Sequence, residues 1–268
     1  MMDKIKPLKS PPKPAKGKSG IHKPNKPKNP GDINAKHFVD ALMSYQSPLE
    51  LKKHHRFFEF NENNPGDGLQ FAGVRMGQIF ALADAYIDMQ PSEIEKLLDH
   101  PIYEVKAGAC SIMGKQAAFP KTTEARRKEL YILYLQRHER INHWGLVDLA
   151  AHKVIGRYLY EYGKPRDILR KLARSKEPME RRSAMVSTLY FIGKGEVVDA
   201  LAIAGILMKE KHDLVQKAIG WALRETGKKD KKRLLTFLDK YIATIPRVTL
   251  RYAIEHFDKK LKDHYMKP

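Results

Sequence analysis

The chain has 268 residues, with 50 Lys+Arg against 31 Asp+Glu, a net charge of +19. The excess points to an anionic partner, with nucleic acid ahead of a membrane surface. A single cysteine, Cys110, excludes an intrachain disulfide, and the longest apolar run, Ala200 to Met208, is too short to span a bilayer. No hydrophobic segment follows the basic N-terminus, so no secretory leader is expected, and a reducing, cytoplasmic setting fits.

Residues 1–30 hold nine Lys, seven Pro and one Asp. Such a stretch buries too little apolar surface to offset its ordering entropy. Residues 1–33 therefore read as a disordered tail that grips phosphate nonspecifically or is a passive extension. Residues 34–268 read as the folded unit, itself +11 beyond residue 30. Gly17-Lys18-Ser19 imitates the end of a phosphate loop, but Pro12 stands where that loop needs its first glycine.

From about residue 34 the hydrophobic period is helical. Val74, Ile79, Leu82, Ala83 and Tyr86 recur at spacings of one to five, as do Leu130, Leu133 and Tyr134. Leu214, Val215, Ala218, Ile219 and Ala222 repeat the pattern. Pro48, Pro91, Pro165, Pro178 and Pro246 mark helix starts, and Gly163, Gly193 and Gly227 mark ends. Residues 61–73 form the one conspicuous loop. Ala109, Val147, Ala184 and Ile219 fall in one register at spacings of 35–38, which suggests a solenoid of HEAT-like antiparallel helix pairs. The fold class expected is all-α, a superhelical stack whose concave groove suits a phosphate backbone.

No metal or cofactor is expected. There is no His-Glu-x-x-His and no Cys pair, and the adjacent His54 and His55 point apart on a helix. Cys110 lies in an apolar stretch, where an inert buried thiol is expected. The informative residues are the two tryptophans and their neighbours. Trp144 and Asp148 are four apart, so they share a helix face, and a helical wheel places both at the edge of the stripe Val147, Ala150, Ala151, Val154 and Tyr158. Trp221 likewise sits at the edge of its stripe, between Lys217 and Arg224. Between the two lies Glu180-Arg181-Arg182-Ser183-Ala184. Core packing and surface ion pairs would explain these residues singly. Together they suit another chemistry: aromatic faces attract a delocalised cation, a carboxylate stabilises positive charge developing on a sugar carbon, and arginines hold phosphate. An N3- or N7-alkylated purine is cationic and leaves as a neutral base, so one carboxylate suffices.

Over roughly 38–266 the chain resembles the AlkD-like DNA alkylation-repair glycosylases, which are built from HEAT-like repeats. The resemblance rests on Asn142-His-Trp-Gly-Leu-Val-Asp148, Arg181-Arg-Ser-Ala184 and Gln216-Lys-Ala-Ile-Gly-Trp-Ala-Leu-Arg-Glu225. It implies a monofunctional DNA glycosylase acting on alkylated bases in duplex DNA without flipping the base into a pocket, as a monomer (nucleoid-associated if bacterial), needing no metal or membrane. It implies that Trp144 and Trp221 pack against the lesion nucleotide's backbone and sugar. Asp148 stabilises the sugar cation or positions water. Arg182, more than Arg181, clamps phosphate, with Lys217 and Arg224 nearby. The family's aromatic near the second helix matches Phe57 best, beside an inserted loop at 61–70. A nonenzymatic scaffold for DNA or protein and an RNA-binding solenoid remain as other readings.

Overall fold

The computed structural model describes residues 24–59 and 69–267. Residues 1–23 and 60–68, hence most of the expected tail and loop, and the side chain of Phe57 lie outside the described residues. The helices are α1 (Ala35–Met43), α2 (Pro48–Glu59), α3 (Met76–Ala85), α4 (Pro91–Leu98) and α5 (Tyr103–Ala118). There follow α6 (Glu124–Gln136), α7 (Trp144–Ala151), α8 (Arg157–Glu161), α9 (Asp167–Ala173) and α10 (Pro178–Gly193). The chain ends with α11 (Val198–Ile206), α12 (Asp213–Lys229), α13 (Lys231–Tyr241), α14 (Arg247–Ala253) and α15 (Lys259–Met266). Among the described residues the β-structure is one bridge, Gln70 to Ile102.

Local chemistry sets these boundaries. Pro48, Pro91 and Pro178 occupy first helical positions, where a missing N–H costs nothing. Asn34, Thr123, Asp230 and Asp258 cap helices by accepting a backbone N–H of the first turn. Gly163 follows α8 at φ 54, a left-handed stop. Gly193 is the last residue of α10, and the left-handed position there is Gly195, φ 92. Gly227 does not end a helix: α12 continues to Lys229. The glycine answers a packing need, because a Cβ there would lie 2.5 Å from Leu234 Cδ2 on α13.

The helices stack in two layers. α3, α5, the α7–α8 pair, α10, α12 and α14 pack one on the next, and α4, α6, α9, α11 and α13 alternate with them along the chain as the second layer. The fold is the all-α solenoid expected. Ala109, Val147, Ala184 and Ile219, the four residues of the repeat register, lie on α5, α7, α10 and α12 and are all fully buried. Each amphipathic pair covers its apolar face only against its neighbours, so one core runs from Phe38 to Tyr265.

α7 and α8 form one helix interrupted by a π-helical turn at His152–Gly156. A straight wheel does not foresee it, because an inserted residue leaves no hydrophobic signature. At Gly156 the turn meets α10 closely: a Cβ would lie 2.2 Å from the Ser187 carbonyl oxygen and 2.9 Å from Tyr190 Cβ. The obstacle is backbone and cannot swing aside. Gly156→Ala is therefore expected to destabilise the fold by about 3 kcal/mol, read as a lower urea midpoint at unchanged slope.

Candidate active site

Trp144 and Asp148 lie on α7, Arg181 and Arg182 on α10, and Lys217, Trp221 and Arg224 on α12, three helices of one layer. His143, at the N-cap of α7, accepts the N–H of Gly145 at its Nδ1, 3.1 Å, and so starts the helix at Trp144. One turn on, Asp148 faces α10. Arg182 meets it with both edges of its guanidinium: Nε donates to Oδ1 at 3.0 Å and Nη2 to Oδ2 at 2.8 Å. The fork-to-fork geometry fixes the carboxylate's plane. Nη1 of Arg182 donates to the Leu214 carbonyl at the start of α12, tying three consecutive repeats through one side chain. The same guanidinium lies 5.8 Å from the centroid of the Trp144 ring.

Burial separates the two partners. The Arg182 side chain is 6 % exposed and that of Asp148 is 22 % exposed, so the carboxylate keeps an open side while its partner does not. Within the chain Arg182 contacts Asp148, Leu214 and Trp144. The bidentate contact fixes the orientation of the carboxylate. Arg181 is also engaged internally: it pairs with Glu210 through Nε and Nη2 and donates to the carbonyls of Ser175 and Lys176 through Nη1.

Trp144 and Trp221 are half-buried, as their positions at the stripe edges predict, while Val147, Ala150, Ala151, Val154, Val215, Ala218 and Ile219 are buried. Lys217 pairs with Asp213 one turn earlier, and Arg224 pairs with Glu255, just past the end of α14. Phe57 lies on α2, and its side chain is outside the described residues.

Sequence reasoning missed a partly buried file of rings leading to Trp144. His54 on α2 meets Phe71 at 5.8 Å, Phe71 meets Tyr103 at 5.5 Å, Tyr103 meets His143 edge-on at 5.0 Å, and His143 meets Trp144 at 5.3 Å. Glu104 anchors this wall. Its fully buried carboxylate accepts the N–H groups of Ala72, Gly73 and Val74 at 3.1, 2.8 and 3.3 Å and contacts His54 Nδ1 at 3.0 Å. Gly73 is needed there: φ is 76, and a Cβ would lie 2.6 Å from the Ser47 carbonyl oxygen. His143 was legible as part of the Trp144 motif. Tyr103 and Glu104 lay too far away in sequence to carry a local signal. Behind Arg182, Ser183 Oγ contacts Tyr134 Oη at 2.9 Å and His138 Nε2 at 2.8 Å, bracing α10 against α6.

Burial sets the titration of the site's surroundings. It lowers the pKa of His143 from 6.5 to about 3, with help from nearby Arg182, and that of His152 to about 4, with help from Lys153. Glu104 is lowered because its hydrogen bonds from His54 and the backbone outweigh its own desolvation. The two native histidines stay neutral where unfolded ones bind protons, so stability is complete above about pH 6.5 and declines as pH falls toward 4. Glu104 acts in the same direction, its contribution being lost below the ordinary carboxylate range. Between pH 7 and pH 5 the two histidines are expected to remove about 2 kcal/mol each, seen as a falling urea midpoint. Burial also pushes the Cys110 thiol up to about 12, so the inert thiol expected from the sequence is what the fold provides. Among the described residues no group of three or more His, Cys, Asp or Glu is placed to hold a metal, and no helix is long and apolar enough to cross a membrane.

Comparison with known proteins bears on the family and the fold. A family model described as DNA alkylation repair enzyme matches residues 38–257. Among solved structures, a predicted DNA alkylation repair enzyme from Enterococcus faecalis is similar at a TM-score of 0.60 and 16 % identity, covering 80 % of this chain and 97 % of that one. At that identity the likeness speaks for the fold alone. No curated protein matches the chain. The family match spans most of the sequence, both tryptophans and the Asp148–Arg182 pair included: the chain belongs to the DNA alkylation repair enzyme family.

Proposed function

We propose that the protein is a DNA glycosylase that hydrolyses the N-glycosidic bond of cationic N3- or N7-alkylated purines in duplex DNA. The observation that carries this reading is the Asp148 carboxylate, locked by the buried Arg182 yet open on one side and flanked by the Trp144 ring. The C1′–N bond breaks with its electron pair going to the base, which leaves neutral. Asp148 stabilises the positive charge that builds on the sugar. Water adds to C1′ and gives up a proton to solvent. Trp144 and Trp221 lie against the sugar and backbone of the lesion nucleotide. Lys217 and Arg224 reach phosphates by exchanging their carboxylate partners for them. The catalytic residues belong to a single unit, residues 34–268, with no metal or cofactor taking part, and the protein acts as a monomer.

Holding the nucleotide by its backbone leaves the base outside any pocket, so bulky N7 adducts should be released as well as methyl. The deciding experiment is incubation with duplex DNA carrying N7-methylguanine, followed by detection of free base and abasic sites. Release of the base supports the reading. Binding of the duplex with no release would instead make the protein a nonenzymatic DNA scaffold.

A further inference from the structure

Tyr252, on α14, packs against Gly220, the residue before Trp221 on α12. Gly220 brings α12 and α14 together: a Cβ there would lie 2.4 Å from Tyr252 Cβ and 2.7 Å from the Thr249 carbonyl oxygen. The Thr249 hydroxyl donates to the Gln216 carbonyl at 3.0 Å, fixing the register of the two helices. Trp221 and Arg224 share one face of α12, three residues apart, while Tyr252 lies in the last turn of α14 and Glu255 in the turn that follows it. The Arg224–Glu255 ion pair joins the two segments. Tyr252 therefore continues the surface on which Trp221 sits.

The composition of this surface is unusual. Tyr252 is 36 % exposed, one of the few large apolar side chains that are. Arg251, its neighbour, is exposed and has no ion pair among the described residues, unlike Lys217 and Arg224. Arg247, one turn earlier, is exposed as well. An accessible ring beside an unneutralised guanidinium is poor core chemistry and suits a polyanion with flat sugar and base surfaces.

We propose that Tyr252 and Arg251 form a second nucleic-acid contact on α14, one repeat beyond Trp221, which takes the backbone of duplex DNA outside the lesion. Arg251 neutralises one phosphate, and the Tyr252 ring packs on the adjoining sugar. This proposal rests on the DNA-binding reading given above. It goes beyond that reading in lengthening the footprint toward the C-terminal repeats, where none of the chemistry occurs.

The test is a salt titration of affinity for an undamaged duplex, with the full chain and the variants Arg251→Gln, Tyr252→Ala and Tyr252→Phe. Arg251→Gln is expected to weaken binding at low salt and to lower the slope of log affinity against log salt by about 0.9. Tyr252→Ala is expected to weaken binding about tenfold with little change in slope, and Tyr252→Phe to restore it, because the ring makes the contact. Nuclease footprints should shorten at one end in both weakened variants. Thermal melts accompany each measurement. Arg251 has no ion pair among the described residues, so its variant should melt with the parent and the arginine half of the proposal stays testable even where Tyr252→Ala unfolds. Wild-type affinity and slope in Arg251→Gln, or equal affinity in a folded Tyr252→Ala, would overturn the inference while leaving the glycosylase reading intact. Failure of the parent protein to bind any duplex would overturn both.

Discussion

Asp148→Asn is expected to lower single-turnover base release from N7-methylguanine duplex by at least about 10²-fold. The amide has the carboxylate's shape and can still accept from Arg182 through its oxygen. It cannot supply the negative charge that a sugar cation requires. Duplex affinity should stay within a few-fold, because the surrounding cations and both tryptophans remain. The measurement is the release rate at saturating enzyme, paired with binding to undamaged DNA. A rate near wild type would remove Asp148 from the chemistry and leave Arg182 holding a structural carboxylate.

Arg182→Ala is expected to act on stability and rate together. The guanidinium is nearly buried, so its removal leaves the Leu214 carbonyl short of a donor and Asp148 without a counter-charge. Breaking a buried pair from one side costs several kcal/mol, and Asp148 recovers part of that through its open side. About 3 kcal/mol should be lost, read from urea unfolding. Base release should fall as well, because the carboxylate loses the geometry of the bidentate contact. Arg182→Ala keeps the carboxylate that Asp148→Asn removes, so its loss of rate should be the smaller of the two, which separates positioning from charge. Arg182→Lys should lie between the two, since an ammonium cannot span both carboxylate oxygens and the Leu214 carbonyl. The two substitutions combined should be far from additive, because each removes the same contact.

Much of the architecture followed from the sequence alone. Helix starts at Pro48, Pro91 and Pro178 are local events, decided by a residue that donates no N–H and presets φ. The repeat register through Ala109, Val147, Ala184 and Ile219 was legible because each layer must bury the same face of the same helix. The half-burial of Trp144, Asp148 and Trp221 was legible for the same reason. Their placement at the edge of an apolar stripe is a property of one helix, and an edge residue stays half-exposed when the stack closes.

What the sequence did not contain was the partnership between residues on different helices. Arg181 and Arg182 are neighbours with equal charge, and the packing of α10 against α7 turned one to Asp148 and the other to Glu210. The π-turn at His152 and the continuation of α12 through Gly227 also came from helix–helix approach, at Gly156 against Ser187 and at Gly227 against Leu234. Glu104 was an ordinary acidic residue at the start of a helix until the fold laid Ala72–Val74 over it and desolvated both. Local propensity decides which face of a helix is apolar. Which polar groups must then satisfy one another is fixed only when two faces meet and water leaves, because an unpaired group costs most there.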